Sequence, residues 1–397
     1  MGLWKIAPLA LALSVATPSF AQTMTLVPIA SFPESTDTIA FGINDTGVVA
    51  GSVDTTIHTG NHTPNLVEEF SFYGPAAGPY QTFSVNGFTS QTDGTQARGI
   101  NNKGDIVGVF RSGTCQQNGY LNPPAAGLTG VGCQGFVRYS ASASPQTITD
   151  ANGTPMVAMV TGINYAGTFV GNYCVCSHSQ QLSKSIAFYG TGGRVQTKID
   201  LSFLGSVKQA KARGINKKGD IVGFLTESNP DGSISSSAFL LKKSQVYVLN
   251  FPQAGASTTA VGINDSGNIT GSWSDANGVS HGFYLSADLV HWRSFDLPGE
   301  SQNTNGGTEA WGINNADQFL VDGDGDPKFP VSFVVCPFEF HPGLTGVCSS
   351  RALASKGAIT ITPVAVTGPA PVGHSCPFLY GAHGPSCFSP AGVVPPN

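Results

Sequence analysis

A ten-residue phrase occurs six times in the chain, each copy is followed by a strand marked by Phe, and a similar run precedes the first copy. Together these features predict an all-β fold, a six-bladed β-propeller closed by an N-terminal outer strand. An irregular tail rich in Cys, Pro and Gly follows it. The expected boundaries are a signal peptide at 1–21, the repeat array at 22–335 and a partly disordered tail at 336–397.

The phrase is clearest at Gly99-Ile100-Asn101-Asn102-Lys103-Gly104-Asp105-Ile106-Val107-Gly108. It recurs from Gly42, Gly162, Gly214 and Gly262 and, degraded, from Gly312. Residues ahead of each Gly-Ile-Asn alternate in character, as in Ala97-Arg98-Gly99-Ile100, so a first strand is expected there. Asn-x-x-Gly then fits a tight hairpin on a type I turn whose last position needs positive φ. Gly adopts that conformation at little cost, and Asp317 in the sixth copy is a tolerable substitute.

A second strand follows at once, as in Ile106-Val107-Gly108-Val109-Phe110, and its apolar character predicts cover on both faces. The third strand carries a small residue before Phe72, Phe136, Phe188, Phe239, Phe283 and Phe333. A looser fourth strand ends near Pro252 and Pro298, with other copies near Gln81, Gln146 and Val195. That leaves one fourth strand missing at the end of the array. Pro28-Ile29-Ala30-Ser31-Phe32-Pro33 supplies it, which predicts that the start of the mature chain pairs with the unit at 309–335. Pro28 suits an outermost strand, where one donor can be lost to solvent.

At these residues the chain resembles the extracellular HAF-repeat family, whose units carry Gly-Ile-Asn-x-x-Gly-x-Ile-Val-Gly, a Gly/Ala-Phe strand and an Asp-x-Pro-Gly-like end. The resemblance covers roughly residues 24–335 and implies a β-propeller-like repeat form without an activity. The sixth copy departs from it, with Leu320-Val321 where Val-Gly is usual.

Charged residues make up 11% of the chain and Gly 50 of its 397 residues, so solubility rests on Asn, Ser, Thr and Gln. A net charge of −5 without basic clusters offers no footprint for nucleic acid or anionic membrane. Lys5, the apolar run Ile6–Ala16 and Ser19-Phe20-Ala21 read as a signal peptide, which predicts a secreted or periplasmic, monomeric protein without membrane insertion. In that compartment the eight Cys read first as disulfides. Cys115 with Cys133, Cys336 with Cys348 and Cys376 with Cys387 are candidate pairs, while Cys174 and Cys176 could instead cross-link to the first pair or ligate a metal with His178.

The turns inside the repeated phrase hardly vary in length, whereas loops after the second strand run from about eight to more than twenty residues. Rigid turns on one rim and free loops on the other suit a scaffold that presents a binding face, although drift in exposed loops would look alike. Candidate loop-face contacts are Arg98, Tyr120, Tyr173, Trp273, Asp275, Asn277 and Trp311. Arg98 and Trp311 hold the variable site before the Gly of a first strand, at the expected mouth of a central tunnel, although packing between blades is the reading favoured for Trp311.

Other patterns carry less. Asp322, Asp324 and Asp326 alternate in a loop as oxygen ligands for calcium do, but Pro327 and Phe333 stand where an EF-hand needs Gly and Glu, and a solvated acidic turn is the alternative. No other cofactor is implied. Gly278-Val279-Ser280-His281-Gly282 matches a nucleophile elbow in letters only, since it enters a strand. Ser286-Ala287-Asp288-Leu289-Val290-His291-Trp292 looks like a phrase of some propeller glycosidases but falls on the far rim, as a hairpin would. Carboxylates expected on the loop face are Glu68, Asp93, Glu227, Asp231, Asp275 and Glu309. The sequence favours a non-enzymatic binder of a glycan, peptide or cell-surface partner. The alternatives are a carbohydrate-active enzyme of glycosidase or lyase type, which needs converging carboxylates, and a purely structural envelope protein.

Overall fold

The computed structural model describes residues 22–32, 35–57, 66–85, 94–111, 133–139, 144–175, 184–205, 207–228, 233–253, 255, 257–298, 306–324, 332–336, 348, 358–364, 371–376, 378–379, 385–386 and 388–390. The signal-peptide assignment, Tyr120, Cys115, Cys176, Cys387, Asp93, Asp231 and Asp326 lie outside them, as do the side chains of Glu68, Cys174 and Asp324.

The described chain is all-β. β1 (Gln22–Pro28) precedes a first unit of β2 (Ser35–Ile43), β3 (Val48–Ile57), β4 (Leu66–Pro75) and β5 (Gln81–Phe83). The second unit holds β6 (Gly94–Ile100), β7 (Ile106–Arg111), β8 (Gln134–Arg138) and β9 (Gln146–Thr147). β10 (Ala158–Ile163), β11 (Phe169–Val175), β12 (Lys184–Thr191) and β13 (Arg194–Ile199) form the third. The fourth comprises β14 (Val207–Ile215), β15 (Ile221–Ser228), β16 (Ile234–Lys242) and β17 (Gln245–Leu249). In the fifth are β18 (Ser257–Ile263), β19 (Ile269–Ser274), β20 (Ser280–Leu285) and β21 (Trp292–Phe295), and the sixth has β22 (Gly307–Ile313), β23 (Phe319–Asp324) and β24 (Ser332–Cys336). Within each unit consecutive strands pair antiparallel.

The sixth unit takes its outer strand from the start of the described chain. β1 pairs antiparallel with β24, Thr25 opposite Cys336 and Pro28 opposite Phe333. The pairing strand starts earlier than the run read from sequence, and Ile29 leaves it by donating its N–H to the Ser332 carbonyl at 3.0 Å.

Each residue type of the repeated phrase has a distinct mechanical reason. The turn positions Gly47, Gly104, Gly167, Gly219 and Gly267 all have positive φ, and Asp317 takes φ 56° in their place. The phrase's first Gly lies where neighbouring first strands touch backbone to backbone. A Cβ on Gly162 would come within 2.7 Å of the Arg213 carbonyl, on Gly214 within 2.7 Å of that of Val261, and on Gly312 within 2.9 Å of that of Phe41. Side chains larger than hydrogen are excluded there.

The Asn is used twice. Its Oδ1 accepts backbone N–H groups of its own turn, as Asn216 does from Lys218 and Asp220, both at 3.0 Å. Its Nδ2 donates to the carbonyl of the next unit's Asn, from Asn44 to Asn101, Asn164, Asn216, Asn264 and Asn314 in turn. Asn314 then donates to the Asn44 carbonyl at 3.0 Å. The chain of buried amides therefore returns to its own start.

Apolar burial follows the same order. Separate clusters fill the space between consecutive units, with Phe72, Phe136, Phe169, Phe188, Phe239, Phe283 and Phe319 fully buried among them. One cluster joins Leu320 and Val334 of the sixth unit to Ala40, Val49 and Phe72 of the first. Four first strands also carry a buried Thr whose Oγ1 accepts an N–H from the end of the preceding unit, the shortest being Leu297 N to Thr308 at 2.7 Å. Thr308→Val should lose that bond and leave a buried donor, lowering stability by about 1–2 kcal/mol in urea unfolding.

The tail is not uniformly irregular. β25 (Ala358–Val364) inserts between β1 and β21, β26 (Gly373–Ser375) extends β17, and β29 (Phe388–Pro390) extends β13; β27 (Phe378–Leu379) and β28 (Pro385–Ser386) form a small hairpin. The physical reason is that an outermost strand presents unpaired N–H and C=O groups, which the backbone of an extended segment such as 358–364 can satisfy. Cys336 and Cys348 are bonded to each other, and Cys133 and Cys376 are also disulfide-bonded. No helix among the described residues is long and apolar enough to cross a membrane.

Candidate functional site

Just before each Gly of the repeated phrase the ladder between first and second strand slips by one residue, between Ala40 and Gly42, Ala97 and Gly99, Val160 and Gly162, Ala212 and Gly214, and Ala260 and Gly262. In the sixth unit, with Val321 for Gly, the slip spans Ala310 to Ile313. A bulge re-aims the side chain of its extra residue. Here the extra residues are Phe41, Arg98, Thr161, Arg213, Val261 and Trp311, which differ while their neighbours repeat.

These residues meet at the centre. A channel of about 90 Å³ is lined by Phe41-Gly42-Ile43 and its five counterparts. Phe41, Arg98 and Trp311 also line a larger chamber of about 310 Å³, completed by Asp37, Ile39, Ser52, Asp54, Glu69, Gln96, Glu309 and Asp322. The chamber lies on the rim away from the Asn turns, because these residues come from the opening halves of first strands and the strand segments paired with them.

Strand register explains how its carboxylates assemble. Asp37 is the cross-strand partner of Asp54, Asp54 that of Glu69, and Glu309 that of Asp322. Like charges placed directly opposite destabilise a sheet. Two guanidinium groups offset part of that. Arg111 forms an ion pair with Glu69, and Arg98 lies 4.0 Å over the Phe41 ring in the field of Asp322 and Glu309. Burial pushes Arg98 down to about 10 against the pull of those two carboxylates. Gln96 bridges the two sides, donating to Glu69 and accepting from Arg98 Nε at 3.2 Å. Trp311 is fixed by Nε1 donating to Asp322 Oδ1 at 2.7 Å and by an edge contact with Phe41 at 4.8 Å.

Desolvation raises the Asp54 carboxyl above its ordinary value of 3.8, with Arg111 pulling the other way. A raised folded-state value favours the neutral acid, so the contribution of Asp54 to stability is complete below 3.8 and is lost as pH rises through the raised value. Asp54→Asn should therefore raise the thermal midpoint at pH 7 and leave it unchanged near pH 3, measured by differential scanning calorimetry.

The other sequence candidates lie elsewhere. Tyr173 is buried against Phe188 at 6.1 Å, where desolvation pushes its hydroxyl up to about 12. Trp273 is sandwiched between Phe251 at 4.1 Å and His281 at 4.4 Å and donates from Nε1 to Ser294, so it serves packing in the fifth unit. Asp275 closes a turn by accepting the N–H groups of Asn277 and Val279, bonds that hold its carboxyl below the usual value. Ser280 lies in β20, without the strand-to-helix turn a nucleophile elbow needs, and Ser286–Trp292 forms the hairpin between β20 and β21. Asp322, proposed for calcium, lines the chamber, and no group of three or more His, Cys, Asp or Glu able to hold a metal is found among the described residues.

Asp37, Asp54 and Glu69 were not singled out from the sequence. Counting outward from the turn at Asn44–Gly47 with the bulge included would have aligned the first two, so the signal was present in the register.

No family model matches the sequence, and no curated protein matches it. Among solved structures the chain is similar to one titled Hadza microbial sialidase Hz136, with a TM-score of 0.43 and 11% identity over 75% of this chain. The chain spans 65% of the length of that structure.

Proposed function

We propose that the chain is an exported, six-bladed β-propeller of HAF-type repeats that acts as a non-catalytic binding module, taking a polar ligand in its central chamber. The returning cycle of Asn amides and the core shared by the first and sixth units support the ring. The single observation that carries the function is where the repeat breaks. Positions that build the ring are the same in nearly every copy, whereas those facing the chamber differ and gather Trp311, Arg98, Gln96 and five carboxylates on one side. A structural ring has no need of that asymmetry. Trp311 and Phe41 offer an aromatic wall, and the carboxylates, Arg98 and Gln96 supply acceptors and donors for a partner's polar groups, which suits a glycan or a peptide.

Titration calorimetry of the full chain against a panel of oligosaccharides and short peptides tests this. Trp311→Ala should weaken the ligand found by at least about tenfold, since it removes an aromatic contact at the centre of the site. Tyr165→Ala, on the exposed opposite rim, should leave affinity unchanged. Binding that is indifferent to Trp311→Ala would move the site elsewhere. A second reading, glycoside hydrolysis, draws on the facing carboxylate rows and the raised Asp54. Release of reducing ends from any panel oligosaccharide, lost in Glu309→Gln, would favour it.

A further inference from the structure

The chamber and the channel beneath it are not electrically alike. The chamber gathers its carboxylates on the first and sixth units, with Glu309 and Asp322 facing Asp37 and Asp54. The channel carries two guanidinium residues, Arg98 of the second unit and Arg213 of the fourth. Both are held on aromatic faces, Arg98 over Phe41 at 4.0 Å and Arg213 over Phe224 at 5.3 Å. Arg213 also donates from Nη1 to the Met159 sulfur at 3.6 Å. Phe41, Arg98 and Trp311 are walls of both spaces, so the two adjoin, with all five carboxylates in the chamber lining and Arg213 in the channel lining alone.

Resting on the central-site reading above, we propose that the cavity takes a zwitterion end-on, a free amino acid or short peptide with both termini unblocked. Its carboxylate lies in the channel mouth between Arg98 and Arg213, where planar guanidinium groups match carboxylate geometry. Its ammonium group lies in the chamber among Glu309, Asp322 and Asp37. Opposite charges at the two ends fix the ligand's direction, and reversing it would bring like charges together at both.

The test is calorimetry on the full chain with glycylglycine, its N-acetyl form, its C-terminal amide, glucosamine and lactose. Glycylglycine should bind, blocking either end should weaken it at least about tenfold, and added salt should weaken it further. Arg213→Gln should bring the free acid down to the affinity of the amide, and Glu309→Gln should bring the free amine down to that of the N-acetyl form. Arg213→Lys keeps the charge and should retain part of the preference, which separates recognition from a folding defect; circular dichroism checks each variant. Equal binding of acid and amide, or no binding of any dipeptide, overturns the zwitterion. Glucosamine binding as tightly as glycylglycine reassigns the chamber to a cation alone. Lactose binding that is lost in Trp311→Ala while dipeptides fail keeps the central site and removes only this inference.

Discussion

A chain lacking residues 22–30 should fail to reach a cooperative fold. β1 is an outer strand of the sixth unit and is itself flanked on both edges, pairing with β24 over Thr25 to Pro28 and with β25 over Gln22 to Thr25. Its removal strips Leu26 and Ile29, each 3% exposed, from the cores at the fifth–sixth and sixth–first junctions. The two side chains are worth roughly 2 kcal/mol each in lost burial. Several ladder hydrogen bonds at about 1 kcal/mol apiece go with them. The total approaches the 5–15 kcal/mol by which a whole domain of ordinary stability is folded. Two newly exposed strand edges would also invite association. Size-exclusion chromatography and calorimetry should show aggregates and no sharp transition, and a synthetic peptide of residues 22–32 added during refolding should restore a monomer. A truncated chain that is monomeric with an unchanged midpoint would mean that the fold does not depend on this strand.

Asn216→Ala should cost about 4 kcal/mol, the largest effect expected of a single substitution, because its amide serves four partners while 2% exposed. Nδ2 donates to the Asn264 carbonyl at 3.2 Å and to Asp220 at 3.1 Å, and Oδ1 accepts from Lys218 and Asp220. Alanine removes all four bonds at once and leaves the Asn264 carbonyl and the Asp220 N–H inside the protein without this partner. Asn102→Ala makes the control. Its side chain occupies the exposed position after Asn101, the counterpart of Asn216 in the second unit, and accepts from Asp45 N at 2.8 Å, so its loss should be worth less than about 1 kcal/mol. Similar midpoints for the two variants in guanidinium unfolding would sink the idea that the amide cycle holds the units together.

The contrast between these asparagines shows what a single sequence reveals. Asn216 was legible because the demand on it recurs in every unit, and a repeated demand leaves a repeated letter. The same holds for the turn glycines, for the third-strand Phe and for the missing outer strand, which followed from the repeat arithmetic. Arg98 and Trp311 were legible only as exceptions at a variable position. Asp37, Asp54 and Glu69 carry no pattern of their own; they come together through cross-strand register, which the bulge before Gly42 shifts by one residue. Trp273 and Tyr173 looked like ligand contacts because aromatic residues near loops serve packing and binding equally, and only their neighbours decide between the two. In the tail, composition concealed strands whose pairing is set by open edges far away in sequence.

The three strands that the tail lays on the repeat units have a bearing on how copies of the molecule can meet. β29, β26 and β25 cap the flanks of the third, fourth and fifth units, and β25 also seals the sixth through β1. β5 and β9, which end the first and second units, gain no such strand among the described residues. Of these three strands only β25 is paired on both edges, so edge-to-edge association is closed to the outer strands of the fifth and sixth units, whereas β26 and β29 themselves carry the outer edges of the fourth and third.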